Sequence, residues 1–129
     1  CGSIVAHQLC WGPGVKTEAF HVTIIDTKEF YEDTPAVLRL MADKDSDTKG
    51  LWDMAAVQFK DILKGKGELI VGACTAIRSD HVLVGTSGGI GARAVPYDYL
   101  VISTGTSYKS DIKTEGTSIA ARKAAFSGP

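Results

Sequence analysis

A glycine and an aspartate near the start of the chain have residue types and a spacing that could hold a nucleotide. Gly2 opens a segment, 3–10, whose apolar residues fit one face of a short helix, and Asp26 closes the β-branched run HVTIID. The first turn of a helix offers unpaired N–H groups to a phosphate, and a carboxylate at a strand end can accept hydrogen bonds from ribose hydroxyls. The pair therefore matches the second half of a dinucleotide-binding β-α-β fingerprint.

Spacing alone leaves a second interpretation of Asp26 open, that of an ordinary residue at the end of a strand. The first strand and the first two glycines of G-x-G-x-x-G are not in the sequence. The chain starts at Cys1 with a helical pattern already under way by Ser3. We therefore expect it to be a piece of a longer protein.

Further helices and strands are predicted along the chain to position these residues. HVTIID suits a strand buried on both faces, as in a parallel sheet. Helices are expected at 35–40 with Pro35 in the first turn, at 51–63, and at 117–126 with Thr117 or Ser118 as N-cap. An antiparallel meander is expected from ELIVGACTAI, HVLVG and ARAVPY, and a buried strand at 99–103.

The order of these elements, with Ser103-Thr104-Gly105-Thr106 at the end of the last strand, resembles the FAD-binding domain of the two-dinucleotide-binding-domain flavoproteins, the pyridine nucleotide-disulfide oxidoreductase superfamily. The chain is most similar to type II NADH dehydrogenases and apoptosis-inducing-factor-like quinone reductases, through FHVTIIDTKEFYEDTPAVLRL and YDYLVISTGTSY. The resemblance covers nearly the whole chain. It implies an α/β fold: one Rossmann-like FAD/NAD(P)-binding domain over 1–129, with a three-stranded antiparallel meander, incomplete at both ends and lacking its first central strand.

The resemblance also assigns roles to individual residues. Gly2 would be the third glycine of the phosphate loop with Ser3 beside it, and Asp26 would hold the adenosine ribose. The backbone of Cys74 would read the adenine edge. The remaining positions expected at the cofactor are Thr27 and Lys28 beside the ribose, Arg39 on the second helix, and Thr104 and Gly105 in a second nucleotide-facing turn. For Arg39 a surface ion pair is an equally open role.

By this resemblance the parent protein is an FAD-dependent NAD(P)H oxidoreductase, in which hydride passes from nicotinamide to flavin and electrons pass on to a quinone-like acceptor. No C-x-x-x-x-C follows the first helix, which disfavours the disulfide-reductase branch, and the catalytic residues stay unknown. The NAD(P)H-binding domain is not in the chain, so the fragment itself is expected to be inactive. Two alternatives remain: NAD in place of FAD, and a non-catalytic interaction fragment that self-associates through unpaired strand edges.

Composition and short motifs exclude several other classes. Lysine plus arginine (14) nearly balance aspartate plus glutamate (15), and no apolar run is long enough to span a bilayer, so neither nucleic acid nor a transmembrane segment is expected. The odd, scattered cysteines indicate reduced thiols inside a cell, in cytoplasm or mitochondrion.

A glycine-rich stretch, an acidic stretch and the three histidines each have an interpretation that involves no ligand. The run 85–91, GTSGGIG, resembles the phosphate loop of short-chain dehydrogenases, but a flexible hairpin connection is favoured because a β-like sequence follows. The alternating aspartates 43, 45 and 47 read as a solvated charge run, since the glycine and glutamate of a calcium loop are lacking. No metal is expected, because the three histidines share no ligand spacing.

Overall fold

The computed structural model describes residues 2–43, 50–85, 91–106 and 118–126. Its helices are α1 (Gly2–Trp11), α2 (Thr34–Ala42), α3 (Leu51–Ala55), α4 (Phe59–Leu63) and α5 (Ile119–Phe126), with a 3-10 turn at Thr17–Ala19. Its strands are β1 (Val22–Asp26), β2 (Phe30–Glu32), β3 (Ala56–Gln58), β4 (Gly67–Val71), β5 (Ala73–Ile77), β6 (His81–Gly85) and β7 (Ala92–Pro96). The fold thus mixes helix and strand, in agreement with the coarse α/β prediction.

The strand β1 pairs in parallel with β4, in a register that runs from Val22 opposite Gly67 to Asp26 opposite Val71. The parallel pairing predicted for HVTIID is confirmed, although its side chains are half-buried rather than fully buried. A Cβ built on Gly67 would collide with the Val22 carbonyl oxygen and press on Leu63. Glycine is therefore what allows β4 to enter the pair this closely.

The predicted meander exists as β5, β6 and β7, paired antiparallel in sequence order. The predicted first strand of the meander, ELIVGACTAI, was wrong. Its first part is β4, which belongs to the parallel pair, and Gly72 separates β4 from β5. A side chain at Gly72 would meet the Gly85 carbonyl oxygen and a Val84 methyl group. The close approach of β6 is the physical reason that the segment changes sheets at this glycine.

The single amphipathic helix predicted for 51–63 was also wrong. Two one-turn helices, α3 and α4, flank the short strand β3, which pairs antiparallel with β2 from Phe30 opposite Gln58 to Glu32 opposite Ala56. The apolar side chains Leu51, Phe59 and Leu63 are buried as a helical face would require. Pairing between segments distant in sequence overrides the local helical periodicity.

The buried strand predicted at 99–103 is not present. The segment has no strand geometry and is exposed: Tyr99 at 87% and Ile102 at 66% of their full accessibility. Its composition favours a strand, but a strand needs a neighbour to accept its hydrogen bonds, and none of the described strands lies beside it. The apolar segment is thus exposed and pairs with none of the described strands.

Two hydrophobic clusters stabilise the described residues. One joins α2, α3, β2 and β3, with Ile119 of α5 packed against it, and it consists of Phe30, Val37, Leu40, Leu51, Trp52, Ala55 and Ala56. The other lies between the parallel pair and the meander and consists of Ile70, Val82, Val84 and Val95, with Ile25 and Tyr97 against it. In the described ranges no helix is both long enough and apolar enough to cross a bilayer.

Helix ends agree largely with the sequence. Pro35 lies in the first turn of α2 as expected, but the N-cap is Asp33, whose Oδ2 accepts from the Ala36 N–H at 3.3 Å. Ser118 caps α5, with its Oγ accepting from the Ala121 N–H at 3.2 Å. Of the two residues predicted for this cap, Thr117 lies outside the described residues.

Candidate functional site

The carboxyl end of β1 is a tight polar turn. Asp26 is half-buried there, and its Oδ1 accepts a hydrogen bond at 2.9 Å from the backbone N–H of Lys28. Thr27, between them, is exposed. The carboxylate is thus held at the strand end. Its second oxygen, Oδ2, accepts no hydrogen bond from any described residue, so Oδ2 could accept one from a ribose hydroxyl.

A chain of charged side chains leads inward from this turn. The Lys28 ammonium donates to Glu32 Oε2 at 2.8 Å and lies 5.4 Å from the centroid of the Phe30 ring. Glu32 Oε1 in turn accepts from Nε of Arg122, at 2.5 Å. Arg122 is fully buried, whereas the Glu32 side chain is 13% exposed. The network therefore joins the end of β1 to α5 through β2.

Glu32 is ionised within this network. Burial of its carboxyl opposes ionisation, but the hydrogen bonds and positive charges of Lys28 and Arg122 outweigh burial and lower the Glu32 pKa from its ordinary value. The arrangement is one negative charge between two positive ones. A deprotonated Glu32 is the state in which both hydrogen bonds persist.

The expected adenine-reading position lies close to the same strand end. The Gly72 N–H donates to the Asp26 carbonyl oxygen at 2.8 Å, and Cys74 follows two residues later on β5. Cys74 is exposed, and the ladder between β5 and β6 is irregular between Cys74 and Ala76. The structure therefore brings the backbone at 72–74 next to Asp26.

A second group of expected residues meets at the first turn of α1. A Cβ built on Gly2 would collide with Ser103 Oγ, so helix and segment touch there. Ser3 is half-buried beside Gly2, while Thr104 and Gly105 are exposed. Gly105 has φ +69°, a left-handed conformation that favours glycine.

Both groups lie toward one end of the parallel pair. The other end of α1 is fixed at the start of β4: the Trp11 indole N–H donates to the Ile62 carbonyl at 3.1 Å, and Lys66 Nζ donates to the Cys10 carbonyl at 3.4 Å. Since α1 packs along β1 and the chain reverses between them, the first turn of α1 lies toward the carboxyl end of β1. Gly2 and Asp26 therefore lie toward the same end of the parallel pair.

The structure does not join Arg39 to either group. Arg39 is an exposed residue in the last turn of α2, and its carbonyl accepts the Asp43 N–H that ends the helix. Neither of its two open roles, cofactor contact or surface ion pair, is displayed by a contact within the described ranges. Its assignment to the cofactor stays a prediction.

Sequence reasoning missed Glu32 and Arg122. Glu32 lies in FYED, within a stretch whose pattern is irregular, and Arg122 lies in the helix IAARKAAF. One signal was available: an arginine among small apolar residues of a short helix needs an acid to accompany it into the interior. The partner itself is 90 residues away and has no local signature.

Other sequence expectations fall outside the site. Cys10 is buried, and burial raises the pKa of its thiol, although the nearby Lys66 charge acts in the opposite direction. Within the ranges that the structure covers, no three potential ligands gather as a metal site would require. The connection at 86–90 and the acidic residues at 45 and 47 lie outside the described residues, although β6 and β7 on either side of 86–90 do pair antiparallel.

Comparison with known proteins leaves the resemblance as a prediction. No family model, no curated protein and no solved structure matches the chain.

Proposed function

We propose that the chain binds the ADP part of FAD and is the flavin-binding part of an FAD-dependent NAD(P)H oxidoreductase. The observation that carries the proposal is that two features lie toward the same end of the parallel pair. They are the first turn of α1, which touches Ser103, and Asp26 at the end of β1. A helix N-terminus and a strand-end carboxylate there offer a donor set for a pyrophosphate and an acceptor for a ribose.

Each remaining residue at this end of the pair would contact a different part of the nucleotide. The backbone at Cys74 would face the adenine, with Thr27 and Lys28 beside the ribose. Thr104 and Gly105 would pass beneath the pyrophosphate, where a bulky side chain would collide. The parent would pass hydride from NAD(P)H to the flavin and electrons to a quinone-like acceptor, whereas this chain supplies binding and orientation and is not itself catalytic.

Equilibrium dialysis of the chain against FAD tests the proposal. ADP should displace FAD and FMN should not, because the site holds the adenosine half. Asp26→Asn should weaken FAD binding about tenfold by removing a charged acceptor, whereas the exposed Asp61→Asn should leave it unchanged. Failure of the chain to bind either FAD or ADP refutes the proposal, and tighter binding of NAD than of FAD favours NAD as the ligand instead.

A second candidate function is a non-catalytic interaction fragment, and the exposed segment 99–103 favours it. Tyr99, Val101 and Ile102 are exposed, and β1 pairs on one side only among the described strands. Unpaired edges and apolar segments of this kind associate with other strands. On this hypothesis the chain pairs with a second copy of itself.

Light scattering at tens of micromolar tests the association. Val101→Lys should convert an oligomer into a monomer by placing a charge in the associating segment. Leu38→Lys, a change of the same kind at an exposed position of α2, should not alter the mass. A monomer in the unmodified chain would rule out self-association.

A further inference from the structure

The network of Lys28, Glu32 and Arg122 ends at the residue assigned to the ribose. Arg122 has no exposed surface and donates to Glu32 Oε1, while Glu32 Oε2 holds the Lys28 ammonium. The backbone N–H of the same lysine donates to Asp26 Oδ1. Lys28 is therefore fixed at both ends, by its amide at Asp26 and by its ammonium at Glu32.

We propose that Glu32 is a specificity-determining residue of the nucleotide site and that Arg122 is its positioning residue. The inference rests on the proposed function for its ligand. Glu32 draws the Lys28 ammonium away from the ribose and neutralises it, so that Asp26 meets free ribose hydroxyls. A nucleotide with a phosphate on its 2′-oxygen would then meet the Asp26 carboxylate, while the Lys28 ammonium is already paired with Glu32.

Arg122 acts on Lys28 through Glu32. A buried guanidinium requires an acidic partner, and its Nε lies 2.5 Å from the glutamate oxygen that faces away from Lys28. This contact fixes the rotamer in which the other oxygen reaches the lysine. Without it, the glutamate can turn toward solvent and release the ammonium.

The two parts of the proposal have separate readouts. Position is read from the solvent-exchange rate of the Lys28 amide by NMR, which needs no nucleotide. Specificity is read from the ratio of dissociation constants for 2′,5′-ADP and 5′-ADP. Glu32→Gln should raise the exchange rate of that amide severalfold and shift the ratio about tenfold toward 2′,5′-ADP, because the freed ammonium can then bind the 2′-phosphate.

Variants at Arg122 distinguish positioning from general stability. Arg122→Met should have the same two effects as Glu32→Gln, and Arg122→Lys should restore both in part, since lysine also donates to a carboxylate. The exposed substitutions Glu18→Gln and Arg78→Met serve as controls. The amide of Val84 in the meander reports whether each variant is folded. If Arg122→Met does not fold, Glu32→Gln and Arg122→Lys still decide the question.

The outcomes separate this inference from the proposed function. An unchanged Lys28 amide in folded Glu32→Gln overturns the positioning network whatever the nucleotide result. A faster amide with an unchanged nucleotide ratio overturns the specificity role. If neither 5′-ADP nor 2′,5′-ADP binds the unmodified chain, the proposed function and the specificity role fail together. The exchange rates of the Lys28 amide still decide whether Glu32 and Arg122 position the turn.

Discussion

The ion pair between Glu32 and Arg122 gives the sharpest stability prediction. Arg122 is fully buried and Glu32 13% exposed, so Arg122→Met leaves a carboxylate with Lys28 as its remaining described partner. Breaking a buried pair on one side costs about 3–5 kcal/mol. Because the Glu32 side chain is 13% exposed and can turn toward solvent once Arg122 is gone, we expect the lower end, about 3 kcal/mol. That is a large share of the roughly 5–15 kcal/mol that stabilises a domain.

A double-mutant cycle isolates the pair from other effects of the substitutions. Urea unfolding at pH 7 of the unmodified chain, Arg122→Met, Glu32→Gln and the double variant should give a coupling free energy of about 2 kcal/mol. The double variant should be more stable than the sum of the single losses predicts, since the buried carboxylate is gone. A coupling below about 0.5 kcal/mol would contradict the reasoning.

The pH dependence of the coupling follows from the lowered pKa of Glu32. A carboxyl whose pKa is lower in the folded than in the unfolded state stabilises fully above the unfolded value, about 4.3. That contribution is lost as the pH falls through the lowered folded pKa. The coupling should therefore be constant between pH 7 and pH 5 and shrink below about pH 4. A coupling that does not change on acidification would assign the effect to packing instead of charge.

Three further predictions concern other parts of the fold. Gly67→Ala should lower the free energy of unfolding by about 1–3 kcal/mol, because its Cβ meets backbone across the parallel pair. Gly85→Ala makes only ordinary contacts and should lower that free energy less. Urea unfolding of both variants compares the two losses. Asp33→Ala should lower the free energy of unfolding by about 1 kcal/mol by removing the N-cap of α2. Asp33→Asn should keep most of that stability, because asparagine is also a good N-cap. The exposed Cys74 should be alkylated at pH 8 well before the buried Cys10, as peptide mass spectrometry would show; equal rates would mean that α1 opens readily.

Local patterns predicted the elements that depend on local chemistry. The apolar spacing of α1, the proline and polar start of α2, and the alternation of β6 and β7 are all visible in the sequence. The continuous β-branched run of β1 indicated a parallel pairing, although the segment that forms its partner β4 was placed in the meander. These elements are confirmed because neighbouring residues suffice to specify them.

The errors share a physical origin in pairing between distant segments. The periodicity of 51–63 is helical, yet Val57 pairs with Tyr31 in a different part of the chain. The run at 99–103 has the composition of a strand but lacks a neighbour among the described strands. The burial of Arg122 depends on an acid on β2. No window of local sequence contains these partners.

Gly2 and Asp26 were expected at the ends of their elements, and both are found there. Gly2 and Asp26 lie toward one end of the parallel pair, and Cys74 follows the glycine that bonds to Asp26. The sequence alone could place them there because the ends of helices and strands carry residue-type signals. The charged network behind Asp26 has no such signal.

The glycine between β4 and β5 joins the parallel pair directly to the meander. Only the two backbone dihedrals of Gly72 separate the parallel pair from the meander, and its N–H is already bonded to Asp26. Its surroundings leave no space for a Cβ, so β6 lies directly against the chain at this residue. The span from Asp26 to Cys74 is consequently set by the backbone before any ligand arrives. A molecule that bridges it meets a surface with little conformational entropy left to lose.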